Sequence, residues 1–409
     1  MLRQQAIGIA ATLALAIGAA HAQISDGVIK IGVMNDQSGT YADLAGPGSV
    51  VAARMAVEDF GAAKKGLKVE ILVADHQNKP EVGSSIARQW FDVDKVDAIL
   101  DVPTSSVVLA VNQIAREKNK VLIVSTGATV DLTGKACSPN AIHWTYDTWS
   151  LANGTGTAVV KSGGNTWFFL TADYAFGHSL EQQTEAVVQK LGGKVVGKVR
   201  HPFPSADMAS FLLQAQASKA KIIGLANAGA DTINAIKQGA EFGIVKGGQQ
   251  FAGLLVFLTD VHSLGLNVSQ GLLLTESFYW DLNDRTRAFS KRFAQRHKGA
   301  MPTMGQAGVY SGVLHYLKAI EALKSDTGDK VIAKMKELPT DDPVFGKGRV
   351  RQDGRKIHDM YLFEVKKPAE SKGAWDYYKL RATIPAEQAF RPERTAAARW
   401  SSDRVTSDR

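Results

Sequence analysis

AILDVPTSSVVLAVNQIAREKNKVLIVSTGAT, residues 98–129, contains two apolar runs that each stop at a cluster of hydroxyls. The runs AILDV and VLIV are too short for helices and apolar on both faces, as strands buried in a parallel sheet are. Between them VVLAVNQIAREK has the spacing of an amphipathic helix. The unit therefore reads strand, helix, strand. The first run ends at Pro103-Thr104-Ser105-Ser106 and the second at Ser125-Thr126-Gly127-Ala128-Thr129. Neither cluster holds a His, Cys, Asp or Glu. Hydroxyls and backbone amides without an acid, base or metal ligand suit the holding of an anion better than its transformation.

Outward from this unit the same alternation recurs. Strand candidates are IKIGVMN, KVEILVAD, DAILDV and VLIVST, then TWFFLTAD, KVVGKV, KIIGLANA and FAGLLVF, with amphipathic stretches such as SVVAARMAVEDFGAA and TINAIKQGAEFG between them. This predicts an α/β protein with two doubly wound parallel sheets. The aromatic-rich stretch 141–153, AIHWTYDTWSLAN, separates the two series. A further strand, GLLLTESFYW, and two long helices follow. An antiparallel pattern with a turn at Asp353-Gly354 then ends the periodic sequence. The chain crosses between lobes more than once, which makes each lobe discontinuous.

The 409 residues are 45% hydrophobic, enough for two domains with large cores. Arg3, the apolar stretch 6–19 and Ala20-His21-Ala22 form a secretory signal peptide over residues 1–22, so an exported mature chain beginning near Gln23 is expected. Cys137 is the only cysteine, which leaves no intramolecular disulfide and no lipid-acceptor cysteine at the cleavage site. The net charge is +8, and loss of Arg3 with the signal peptide lowers it by one. Cations and acids are interspersed without a basic block, so the charge reads as solubility and not as nucleic-acid binding.

Motifs for catalysis do not assemble. The glycines of IGVMNDQSGTYADLAGPG have the wrong spacing for a pyrophosphate loop, and GHSLE lacks the second glycine of a nucleophile elbow. The nine histidines are scattered, with no metal-ligand spacing. No cofactor, no metal site and no enzymatic activity are expected.

From Ile29 to about Ala382 the chain resembles the periplasmic solute-binding proteins of ABC transporters, of the leucine/isoleucine/valine-binding type. The resemblance is carried by IKIGVMNDQSGTYADLAGPGSVVAARMAVEDF, TSS, VSTGAT and TADYAFGHSLEQQ together. It implies a type I periplasmic binding fold, two lobes joined by three hinge crossings, with ligand buried between them. On this basis lobe 1 is expected over 23–146 and 275–340, lobe 2 over 147–274 and 341–385, and a tail over 386–409. The resemblance also implies a periplasmic, monomeric protein whose partners are a small ligand and a membrane permease.

In the resembling family the two hydroxyl clusters bind an α-carboxylate through a serine hydroxyl, a threonine hydroxyl and backbone amides. Carried over, this points to Ser105 or Ser106, with Thr126, Gly127, Ala128 and Thr129. The family's glutamate partner for an ammonium group falls here on Leu255, within LLVF. An unpartnered buried ammonium costs several kcal/mol, so amino acids are disfavoured. Where amino-acid binders carry an aromatic, this chain has Asn227-Ala228-Gly229. Tyr41, Trp149, Tyr174, Phe176 and Phe257 supply candidate aromatic walls, and Asp173, Tyr174 and Asn227 are candidate hydrogen-bond partners for a ring hydroxyl. The pattern resembles the subgroup that takes up benzoate and hydroxycinnamate derivatives. The rivals are a branched or short-chain aliphatic acid, amide or urea as ligand, and a ligand-sensing module of a signalling system. The basic residues of FGKGRVRQDGRKIH read as a solvated hairpin.

Overall fold

The computed structural model describes residues 24–393, so the signal-peptide reading of 1–22 lies outside the described residues. Five parallel strands form the first sheet: β1 (Ile29–Asn35), β2 (Val69–Asp75), β3 (Ala98–Asp101), β4 (Val121–Val124) and β5 (Ala141–His143), in the order β2-β1-β3-β4-β5. β3 and β4 are wholly buried, as their unbroken apolar character requires. Helices α1 (Gly46–Phe60), α2 (Pro80–Asp92) and α3 (Ser105–Glu117) connect these strands.

The second sheet contains β6 (Thr166–Ala172), β7 (Lys194–His201), β8 (Ile222–Ala226) and β9 (Gln250–Gly253), parallel and in the order β7-β6-β8-β9. The alternating exposure along β7 marks it as an edge strand. Its crossovers are α4 (Ala175–Lys190), α5 (Ala209–Ala217) and α6 (Ala230–Glu241), and α7 (Leu258–Leu264) follows β9.

The rest of the chain departs from the expected boundaries in three places. β10 (Leu273–Glu276) stays with lobe 2, where it pairs antiparallel with β14 (Met360–Val365), itself paired to β15 (Tyr378–Ile384). α8 (Asp284–Arg296), α9 (Met304–Leu323) and α10 (Gly328–Glu337) then pack on lobe 1. The hairpin β11 (Thr340–Asp342), β12 (Gly346–Val350) and β13 (Lys356–Ile357) also belongs to lobe 1, not lobe 2, because it packs on α9 and α10 and continues from β5: His143 N–H donates to Gly354 O at 2.9 Å. The expected tail also begins inside the fold, with Phe390 buried against Arg355. The chain thus crosses between lobes at 144–147, 277–283 and 358–359.

The first and third of these crossings are tied by a buried ionic knot. Arg355, fully buried, donates to the carbonyls of Thr145 and Tyr146 and lies 3.6 Å from the Asp147 carboxylate. His358 Nε2 meets the same Thr145 carbonyl at 2.7 Å. Lys356 is also buried, its ammonium over the rings of Trp144 (5.2 Å) and Phe345 (4.5 Å) and without a hydrogen-bond partner among the described residues. The solvated-hairpin reading therefore fails for Arg355 and Lys356. Burial lowers the Lys356 amine to about 8.

The centre of lobe 1 is α9, buried nearly all round. Its Thr303/Gln306 capping box closes the first turn, and the same side chains reach lobe 1's cleft loop: Thr303 Oγ1 donates to Leu44 O at 2.7 Å and Gln306 Nε2 to Ala45 O at 3.1 Å. The core thereby fixes one wall of the cleft.

Candidate functional site

Between the lobes, which meet in this structure, lies a small cavity of about 10 Å³. Lobe 1 lines it with Tyr41, Leu44, Pro103, Thr126 and Ala128, the first crossing with Tyr146, and lobe 2 with Tyr174, Phe176, Ala228, Leu255 and Phe257. None of these side chains carries a formal charge. Both sheets deliver the carboxyl ends of their strands to this space, where ligands of open parallel sheets sit.

The lobe 1 side is shaped by a sharp bend at the end of β3. Asp101 has φ 84 and Val102 φ 51, and for a β-branched residue that value is a genuine outlier of the kind found at functional sites. The bend places the Asp101 carboxylate behind the second hydroxyl cluster. It accepts from Asn35 Nδ2 (2.8 Å), Ser125 Oγ (2.9 Å) and Thr126 Oγ1 (2.5 Å), and burial raises its pKa above the usual range. The Thr126 hydroxyl expected for the ligand is thus directed to Asp101, although the residue lines the cavity. Gly127 is required by space: a Cβ there would meet Val102 O at 2.7 Å.

Behind Ala128 the remaining hydroxyls join the two clusters. Thr129 N–H donates to Ser105 Oγ at 3.3 Å, and Thr129 Oγ1 caps the turn Val130–Thr133 by accepting from Asp131 N–H. Both residues are buried, and each hydroxyl proton has no acceptor among the described residues. Ser106 is half-buried on the first turn of α3.

Two helix ends converge on the cavity. α3 starts after Thr104, whose hydroxyl is directed to Asn78, so no side chain caps its amides. α4 starts after Tyr174, again without a side-chain cap. Pro103 marks the first end in the cavity wall, and Tyr174 and Phe176 mark the second. Unpartnered amides and the positive end of the helix dipole give this neutral wall an attraction for anions from both lobes.

The phenols of Tyr41, Tyr146 and Tyr174 are all pushed up by burial and remain protonated donors. Tyr146 donates to Thr126 O at 2.8 Å, while the Tyr41 and Tyr174 oxygens meet each other at 2.5 Å. Leu255 stands in the wall. Asp260, the nearest acid in sequence, accepts from Phe257 N–H at 2.9 Å and is pushed up to about 7 by burial. It caps α7 and leaves no free carboxylate for an ammonium at Leu255.

Seven of the residues expected in the site line the cavity: Tyr41, Thr126, Ala128, Tyr174, Phe176, Ala228 and Phe257. Ser105, Gly127 and Thr129 lie directly behind them. Three do not reach it. Asp173 is 54% exposed and pairs with His178 (2.8 Å) and Arg200 (3.8 Å). Asn227 is buried behind Ala228, where it bonds His201 at 3.1 Å and Thr232 at 2.6 Å, which leaves no place for a ring hydroxyl. Trp149 is half-buried in the helical turn Thr148–Leu151, next to the first crossing. Sequence reasoning missed Leu44, Pro103 and Tyr146; only Tyr146 had a signal, the aromatic content of the linker. Among the described residues no group of His, Cys, Asp or Glu is arranged to hold a metal ion, and no helix is long and apolar enough to cross a membrane.

The model of the periplasmic binding protein family matches residues 28–374. A crystal structure of a periplasmic binding protein from Burkholderia mallei is 51% identical, with 90% of this chain and 98% of that chain covered and a TM-score of 0.88. A branched chain amino acid ABC transporter periplasmic ligand-binding protein from Burkholderia xenovorans LB400 is 43% identical, with 89% and 97% covered and a TM-score of 0.78. A solute-binding protein of an ABC transporter from R. palustris, in complex with 4-hydroxybenzoate, shares the fold at 22% identity, with 89% and 98% covered and a TM-score of 0.79. Two lobes of parallel sheet, three crossings and a cavity at the strand ends agree with these likenesses: the chain belongs to the periplasmic binding protein family, and it is a solute-binding protein and not an enzyme.

Proposed function

We propose that the protein captures a small aromatic carboxylate, of the benzoate or hydroxycinnamate type, in the periplasm and presents it to the membrane permease of an ABC importer. Residues 1–22 direct export in this reading. The observation that carries it is the pairing of two uncapped helix ends with a wall that has no formal charge. The helix ends favour a carboxylate, the phenols and Phe257 favour a flat apolar body, and Leu255 offers an ammonium nothing. The carboxylate is held by the amides of α3, Gly127 and Ala128 with the hydroxyls of Ser105 or Ser106 and Thr129. The R. palustris protein's 4-hydroxybenzoate supports a fold able to enclose such a ligand.

A second reading, a branched-chain amino acid, has the description of the Burkholderia xenovorans relative in its favour. A thermal-shift series on the mature chain separates the two. Ligand at 100 times its Kd stabilises by about 2.7 kcal/mol. Benzoate or 4-hydroxybenzoate should raise Tm, and leucine, isoleucine and valine should not. A leucine shift equal to that of the best aromatic acid would sink the aromatic-acid reading; a response confined to aliphatic acids, amides or urea would replace it.

A further inference from the structure

At the rim of the cavity the lobes meet through a ring that does not line it. Phe203, half-buried in the loop after β7, stacks on Tyr174 with ring centroids 4.3 Å apart and on Tyr41 at 5.3 Å, the planes inclined by 23° and 28°. Tyr41 comes from lobe 1; Tyr174 and Phe203 come from lobe 2. Phe203 thus spans the two phenols whose oxygens meet at 2.5 Å. Nearby, Ala230 N–H donates across the cleft to Thr40 O at 3.3 Å. Gly229, at φ 57, lets the backbones approach so closely that a Cβ would lie 2.4 Å from Thr40 O. The Phe203 loop is braced from beneath: His201 Nδ1 bonds Pro202 O at 2.8 Å, and Ser205 N–H donates to Asp231 at 3.0 Å.

We infer that Phe203 is an affinity-determining positioning residue, which clamps Tyr41 against Tyr174 and draws the lobes together through contacts between protein groups alone. Part of the drive to close then belongs to the protein and not to the ligand. Binding energy observed for any ligand depends on how far the closed form is favoured in advance, so a change in the clamp alters affinity for every ligand by the same factor. A change in a wall residue such as Leu255 alters the order of ligands instead. The inference rests on two-lobe solute binding and on no particular ligand class.

The test compares wild-type mature protein with Phe203→Ala, Phe203→Leu and Phe203→Tyr. Solution scattering without ligand reads the clamp directly, whatever the ligand proves to be. Wild type and F203Y should give the smaller radius of gyration, and F203A and F203L, which lack the ring, the larger. Titration with benzoate, 4-hydroxybenzoate and a non-aromatic binder from the thermal screen should show one common loss for F203A and F203L, on the order of ten-fold, with F203Y near wild type. Melting curves identify any variant that fails to fold, and the half-exposed loop position leaves at least the leucine variant usable. Identical ligand-free scattering in wild type, F203A and F203L overturns the clamp. So does wild-type behaviour of F203L, or a loss that differs several-fold between ligands. Failure of aromatic acids to bind leaves the scattering test intact and counts only against the proposed ligand.

Discussion

The cleft and the hinge are both buried and both polar, yet they are built from opposite materials. The cavity wall has no formal charge; its potential comes from the amides of α3 and α4 and from three phenols. The hinge buries Arg355, Lys356 and Asp147 within the space of one crossing. A site that must release what it holds is served by dipoles, whose attraction is moderate and directional. A joint that must keep two crossings together as the lobes move is served by ions whose separation is expensive. The difference can be broken from either side.

The largest effect is expected at the hinge. Arg355→Met leaves Asp147 buried without its cation and the carbonyls of Thr145 and Tyr146 without their donor. Loss of one member of a buried pair costs about 3–5 kcal/mol, so the urea midpoint should fall sharply. Arg355→Lys should not restore it, because an ammonium cannot reach three acceptors in the plane of a guanidinium. If R355M unfolds like the wild type, the knot carries no stability and the contrast with the cleft disappears.

The complementary changes in the cleft should affect binding more than folding, which loses no more than a turn cap and one buried hydrogen bond. Thr129→Ala, and alanine at Ser105 and Ser106 together, should each weaken carboxylate binding by about 1.5–3 kcal/mol, the range for hydrogen bonds to a charged group. The urea midpoint should move much less than in R355M. Unchanged affinity in both variants would remove the carboxylate from these hydroxyls.

Lys356 sharpens the hinge half of the comparison, since its ammonium has no bonded partner among the described residues. Its amine titrates near 8 in the folded chain, below the ordinary lysine value of about 10.4 that it regains on unfolding. The unfolded state therefore binds more protons between these values, and stability should rise with pH across that window, by roughly 1–2 kcal/mol between pH 7 and 9.5. Lys356→Met should flatten the rise and be as stable as wild type or more so at pH 7. Unfolding curves at four pH values suffice; a wild-type profile that falls over this range contradicts the buried, unpartnered amine.

The parallel sheets, the hydroxyl clusters and most of the wall were legible because they depend on local pattern. AILD and VLIV have to be buried on both faces, and strand ends in such sheets have to meet at a cleft. What escaped depends on distant partners. Residues 340–357 look like any antiparallel hairpin, and their packing on α9 and α10 with the approach of Gly354 to His143, some two hundred residues earlier, assigns them to lobe 1. β10 reads as one more apolar strand, while its direction is decided by β14. Asp101 lay inside the quoted stretch but carries its role through a left-handed bend that no propensity predicts. Arg355 and Lys356 have the composition of a solvated turn, and only their neighbours Trp144, Phe345 and Phe390 make it a core.

The smallest effect is the one that separates adjacent residues. Asp173 and Tyr174 sit side by side in the DYAFG loop, and both read as partners for a ring hydroxyl. In the fold Tyr174 faces the cavity and Asp173 faces solvent, exposed by half and bonded to His178 and Arg200. Surface pairs of this kind contribute about 0–1 kcal/mol to stability, and a carboxylate that faces away contributes nothing directional to a ligand. Asp173→Asn should therefore leave affinity within about two-fold of wild type, a change below 0.5 kcal/mol or so, while Tyr174→Phe removes a phenol from the wall and shifts it measurably. Titration of both variants with one aromatic acid decides the matter. A loss for D173N equal to that for Y174F would mean that the loop turns its carboxylate inward when ligand binds, and the neutral character of the wall would have to be given up.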